Sequence, residues 1–203
     1  MHIEFLVEEP SAEAALHNLV PKIVGLQVSY HIHVFQGKKD LLNNLANRLR
    51  GYRSWLPADW RIVVLVDEDR EGCLKLKKQL EEIAGKDGLV TRSAAGPGGA
   101  FKVINRLAVE ELEAWFFGDV TALRAAYPRV PRGLDRRMRY RNPDAIQGGT
   151  WQALERVLRS AGYYKGGLPK KEAAHRISEF MEPGRNTSKS FQVFRDALQE
   201  LAN

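Results

Sequence analysis

Arg61-Ile62-Val63-Val64-Leu65-Val66-Asp67-Glu68-Asp69 sets a row of aliphatic residues against an abrupt end in acids. A run this short and this rich in Val and Ile reads as a strand buried on both faces. On an extended chain Asp67 and Asp69 lie on the same side of the backbone, so both can face one bound ion. Ligand sites in open α/β sheets gather at the carboxyl ends of the strands. A hydrophobic strand tipped with Asp-x-Asp is therefore a natural holder for Mg²⁺, which prefers carboxylate and water oxygens. The competing reading is a solvated acidic turn opening a helix at Glu71, because acids suit helix N-termini.

Working outward, His2 to Glu9 predicts a first strand, again ending in acids, Glu8 and Glu9. Ser11 is placed to cap a helix carrying Leu16, Leu19 and Val20, with Glu13 in its first turn. Val28 to Phe35 alternates as a second strand, and Asp40 is placed to cap a helix with the stripe Leu41, Leu42, Leu45 and Leu49. Beyond Asp69 a helix is expected to about Ala84, with Leu76, Leu80 and Ile83 inward, then a short strand at Leu89 to Arg92. Phe101 to Ala108 is a further apolar segment, leading into the acid- and aromatic-rich run Val109 to Asp119. Alternation of strand and helix predicts an α/β fold with a mostly parallel sheet, right-handed crossovers and flanking helices. Composition changes after Tyr127, where an arginine-rich, apolar-poor stretch precedes three short amphipathic helices at about 150–161, 170–181 and 190–201. The expected division is an α/β domain over 1–127 and a basic loop with a helical C-terminal appendage over 128–203.

With 203 residues the chain is long enough for one sizeable domain plus an appendage. No apolar run approaches the roughly 20 residues of a membrane span, no signal-peptide pattern opens the chain, and a cytoplasmic setting is expected. The single Cys73 excludes an internal disulfide and a Cys-based zinc site; it reads as a small buried hydrophobe. A net charge of +6 favours an anionic partner.

Three acidic clusters end or adjoin hydrophobic segments: Glu8/Glu9, Asp67/Asp69 and Glu111/Glu113. Parallel strands bring their carboxyl ends to one edge, so the first two clusters are expected to meet. Gathered carboxylates repel unless a cation neutralises them; Mg²⁺ or Mn²⁺ is the simplest resolution, and would polarise a phosphoryl oxygen or activate water. A first strand ending in Glu8 and a third ending in Asp67-x-Asp69 resemble the Toprim arrangement of topoisomerases, primases and the overcoming-lysogenization-defect (OLD) nucleases. Phe5-Leu6-Val7-Glu8-Glu9-Pro10-Ser11-Ala12-Glu13 stands where a common version reads Val-Glu-Gly-x-Thr-Glu. With Val66-Asp67-Glu68-Asp69 near Cys73, Glu111-Leu112-Glu113-Ala114-Trp115 and Ser188-Lys189-Ser190-Phe191, nearly the whole chain resembles a Toprim-like family of unknown function (DUF4276), often found beside ATPases in bacterial defence gene clusters. The resemblance implies Glu8 as general acid/base or ligand, Asp67 and Asp69 as metal holders, and Glu113, with Glu111, completing the site. Glu9-Pro10 departs from the usual glycine after the first acid, and Arg70-Glu71-Gly72 stands where the family often has further Asp.

Each residue also has a plainer reading. Glu111 and Glu113, two apart, diverge on a helix and would then be a solvated face. His31 and His33 share a strand face but lack an evident third ligand, and read as a structural pair. Trp115, Phe116 and Phe117 read as core; Ser188 and Ser190 read as caps of the last helix. Arg132, Arg136, Arg137, Arg139 and Arg141, with Arg185 and Lys189, are the candidates for nucleic-acid phosphates, against solvated basic loops. The expected function is a metal-dependent phosphodiester nuclease or nuclease subunit acting on DNA or RNA, in bacterial phage defence. The alternatives are a catalytically reduced Toprim-like adaptor binding nucleic acid or a partner ATPase of the AAA or ABC type, and a phosphatase or nucleotidyl-transfer enzyme.

Overall fold

A computed structural model describes residues 1–202. In chain order the elements are β1 (His2–Val7), α1 (Pro10–Val24), β2 (Ser29–Val34), α2 (Lys38–Arg53), β3 (Trp60–Asp67), α3 (Cys73–Lys86), α4 (Arg92–Ala95), β4 (Val103–Ala108), α5 (Glu113–Gly118), α6 (Val120–Ala126), α7 (Thr150–Ser160), α8 (Lys170–Ser178) and α9 (Lys189–Ala202). The fold is α/β. Its four strands form one parallel sheet in the order β2-β1-β3-β4. The chain packs as two compact units: 1–9 with 26–107, and 10–25 with 108–203. Helix α1 and the segment from Ala108 onward belong to the second unit. Among the described residues no helix is long and apolar enough to cross a membrane.

In the first unit, Leu6 of β1 and Ile62, Val64 and Val66 of β3 form one face of the sheet. Against them lie Leu41, Leu45, Leu49 and Tyr52 of α2, a stripe at three- and four-residue spacing, and Leu76, Leu80 and Ala84 of α3. Each fully buried leucine contributes about 1.5–3 kcal/mol. Val63 and Leu65 on the opposite face of β3 are buried too, as the uninterrupted aliphatic run requires. Edge strand β2 is only partly buried. There His33 and its neighbours surround the buried Glu4: His33 Nε2 lies 2.5 Å from Oε2, the Tyr52 hydroxyl donates to the same oxygen at 2.8 Å, and His2 lies 3.1 Å from Oε1. The His31 and His33 rings lie 4.4 Å apart, tilted by 54°, and of the pair His33 is committed to the Glu4 carboxylate.

Several local expectations are corrected. The fourth strand is Val103–Ala108, not Leu89 to Arg92; the latter contributes one bridge at Thr91 before Thr91 caps α4. Helix α1 begins at Pro10, so Ser11 lies inside its first turn; proline's fixed φ suits a first helical position, where its missing N–H is no loss. Helix α2 begins at Lys38, and Asp40 reaches back to the Gln36 amide at 2.9 Å. Helix α3 opens at Cys73, which is half-buried.

In the second unit, Trp115, Phe116 and Phe117 are core, with Trp115 against Phe191 and Phe194 of α9. Helix α1 lies against α8. Lys22 donates to the carbonyls of Ser178, Glu179 and Met181 at 3.2, 2.6 and 2.9 Å, closing the C-terminus of α8.

Candidate functional site

A parallel sheet in the order β2-β1-β3-β4 reverses direction between β1 and β3, because the chain goes from β1 to one side and returns on the other. The crevice at the carboxyl ends of those two strands is where α/β folds bind ligands. Glu8 directly follows β1 and Asp67 ends β3. Both are buried, at 7% and 6% exposure. Glu8 and Asp69 are close enough for charge to act between them: burial first, then the Asp69 carboxylate, pushes the Glu8 carboxyl up to about 7, against the opposing pull of Lys38 and a hydrogen bond from the Asp67 backbone. One Glu8 oxygen, Oε2, is buried without a hydrogen-bond partner among the described residues. Glu8 thus feels the charge of Asp69 and is held by the Asp67 backbone.

Asp69 arrives by a different route from strand alternation. The strand stops at Asp67, and Asp69 and Arg70 adopt left-handed conformations, φ 49° and 63°. Such residues store about 1–2 kcal/mol of strain each. Glu68 holds the turn: its Oε2 accepts from the Arg70 amide at 3.1 Å and its Oε1 from the Gly72 amide at 2.7 Å. The middle acid of Asp-Glu-Asp is therefore the brace that aims the third.

Lys38 supplies the positive charge. Its Nζ stands 2.8 Å from Asp69 Oδ2 and 3.0 Å from Glu71 Oε1. Burial alone would lower its pKa, but the two carboxylates prevail and raise it. A lysine in the first turn of a helix opposes the helix dipole, so its placement there is stabilised by these acids. Lys38 follows β2, at the same sheet edge as Glu8 and Asp67. Among the described residues no three His, Cys, Asp or Glu side chains come together closely enough to hold a metal ion.

Glu111 and Glu113 belong to the second unit. Glu111 Oε2 accepts from the Thr150 amide, the Thr150 hydroxyl and the Trp151 amide at 2.8, 2.9 and 2.9 Å, closing the N-terminus of α7. Glu113 is buried, with Lys170 Nζ 3.9 Å from its Oε1. Two further carboxylates do similar work. Asp119 caps α6 and holds Arg185 through two contacts of 2.9 Å. Asp144 takes the Ser188 and Ser190 hydroxyls and the Lys189 and Ser190 amides at the start of α9. Ser188 caps that helix through the Phe191 amide.

Arg132, Arg136, Arg137, Arg139, Arg141 and Lys189 are exposed, and none is in an ion pair among the described residues. Arg185, by contrast, is committed to Asp119.

No curated protein matches the chain, and no solved structure does. A family described as "Domain of unknown function (DUF4276)" matches residues 7–201, nearly all of the 203, and the chain belongs to that family.

Proposed function

We propose that the chain hydrolyses phosphodiester bonds in DNA or RNA, alone or as the nuclease subunit of an assembly with an AAA- or ABC-type ATPase, in the cytoplasm and in bacterial phage defence. The observation that carries the reading is Glu8: a buried carboxyl at the switch point of the sheet, poised near neutrality. A group with that pKa takes a proton from an attacking water or gives one to a leaving oxygen, an effect worth roughly 10²–10⁴-fold. The Asp69 charge raises its proton affinity while the Asp67 backbone donates to it, and the Toprim resemblance points to the same three residues.

The fit to Mg²⁺ or Mn²⁺ is incomplete. The unpartnered Glu8 Oε2 favours an added cation, yet no three ligands converge among the described residues and Lys38 fills the cation's place at Asp69. The same Lys38 pairing favours a second reading, a catalytically reduced adaptor whose exposed arginines bind nucleic acid.

The test is cleavage of single- and double-stranded DNA and RNA in Mg²⁺, Mn²⁺ or chelator, for the native chain, Glu8→Gln and Asp67→Asn. Cleavage reduced by at least about 100-fold in folded variants is expected. Cleavage indifferent to both substitutions rules the site out, and binding without cleavage under every condition selects the adaptor.

A further inference from the structure

Helix α7 carries an arginine whose chemistry the protein leaves unfinished. Nε and Nη2 of Arg156 are both buried, and neither finds an acceptor among the described residues. Guanidinium donors taken from water without an acceptor are strongly unfavourable, and folded chains rarely tolerate them. Arg156 lines a cavity of about 230 Å³ shared with Arg137 and Arg139, walled by Leu134, Tyr140 and Val157. The cavity lies wholly within the second unit. Among the described residues no carboxylate lines it, so three arginines border one small space with no acid to offset them.

We propose that this cavity is a binding site for a phosphate monoester, the terminal phosphate of a nucleic acid or nucleotide. Guanidinium forks match the paired oxygens of phosphate. A carboxylate would offset one of the three charges and has two oxygens; a monoester dianion offsets two and brings three terminal oxygens. The volume exceeds the roughly 30 Å³ share of a single water and admits a phosphate with part of its ester. The apolar wall suits a sugar or base rather than a fully hydrated ion. The site concerns binding alone, and stands whether or not Glu8 catalyses anything.

Calorimetric titration at low salt, where charge is least screened, tests it with inorganic phosphate, adenosine 5′-monophosphate, adenosine, and one short oligonucleotide bearing either a 5′-phosphate or a 5′-hydroxyl. The phosphorylated ligands are expected to bind, with Arg156→Met weakening them at least tenfold and adenosine showing no binding. The 5′-hydroxyl oligonucleotide should bind at least tenfold more weakly than its phosphorylated twin. Inorganic phosphate binding as tightly as the phosphorylated oligonucleotide supports the pocket and identifies the free ion as its ligand. If Arg156→Met fails to melt cooperatively, the exposed pair Arg137→Gln/Arg139→Gln takes its place, with the same weakening expected. Equal affinity for the two oligonucleotides, or undiminished phosphate binding in a folded variant, overturns the proposal.

Discussion

Glu8 keeps a proton in the folded chain at a pH where an unfolded glutamate has already shed it. Burial and the Asp69 charge raise its pKa from 4.5 to about 7, so the folded state binds more protons across that window. The associated stability is fully present below about pH 4.5 and is lost as pH rises through about 7, a change of up to roughly 3 kcal/mol. Glu8→Gln cannot ionise and escapes that decline. Urea unfolding at about pH 5 and about pH 8 should show the variant gaining on the native chain at the higher pH; an identical difference at both sinks the assignment. Glu68 braces the neighbouring turn. Its carboxylate takes two backbone amides across a turn with two left-handed non-glycine residues. Glu68→Ala should lower stability by about 1–3 kcal/mol and, on the proposed function, reduce cleavage by displacing Asp69. Full activity with an unmoved unfolding midpoint would show that the turn holds itself.

Elements of the second unit are fastened at their ends by side chains distant in sequence. Glu111 meets three donors at the start of α7, so Glu111→Ala should cost about 1–2 kcal/mol by removing a cap. Lys22 reaches three carbonyls beyond α1, and Lys22→Met should loosen the end of α8 by a similar amount. Hydrogen exchange distinguishes the two: faster exchange should fall in the first turn of α7 for one and the last turn of α8 for the other. Uniform acceleration in either variant would argue against a local cap. These fastenings explain which parts of the sequence were legible. The strand Arg61 to Val66 announced itself because five consecutive aliphatic residues suit burial on both faces. The stripes of α2 and α3 followed from periodicity. Leu89 to Arg92 misled because two adjacent apolar residues and a threonine, here only the link between α3 and α4, have the composition of a short strand. Glu111 and Asp144 were opaque, since a carboxylate that caps a helix dozens of residues away has the same local sequence as one that binds an ion. Lys38 became visible only with the strand order, which sets the end of β2 at the acidic edge.

For the molecule as a whole, the charge balance matters less than where unpaired charge is displayed. A net charge of +6 in 203 residues produces a weak overall field. The segment from Arg129 to Arg141, however, holds six arginines and a single acid, Asp135. Arg132, Arg136 and Arg141 are exposed there, make no ion pair among the described residues and line no part of the Arg156 cavity. Their neutralisation should therefore leave stability within about 0.5 kcal/mol of the native value, separating binding from folding. If these side chains touch phosphates, each releases condensed counterions, and the slope of log affinity against log salt reports how many do so. The triple change Arg132→Gln/Arg136→Gln/Arg141→Gln should flatten that slope on duplex DNA by nearly one unit for every phosphate no longer neutralised, up to about 2.7. The weakening should be the same for unrelated sequences, because groups that bind phosphate position a duplex without reading it. Filter binding or anisotropy over a range of salt concentrations, on two unrelated duplexes, measures both. An unchanged slope would place the nucleic-acid interface elsewhere and make this segment a solvated basic loop.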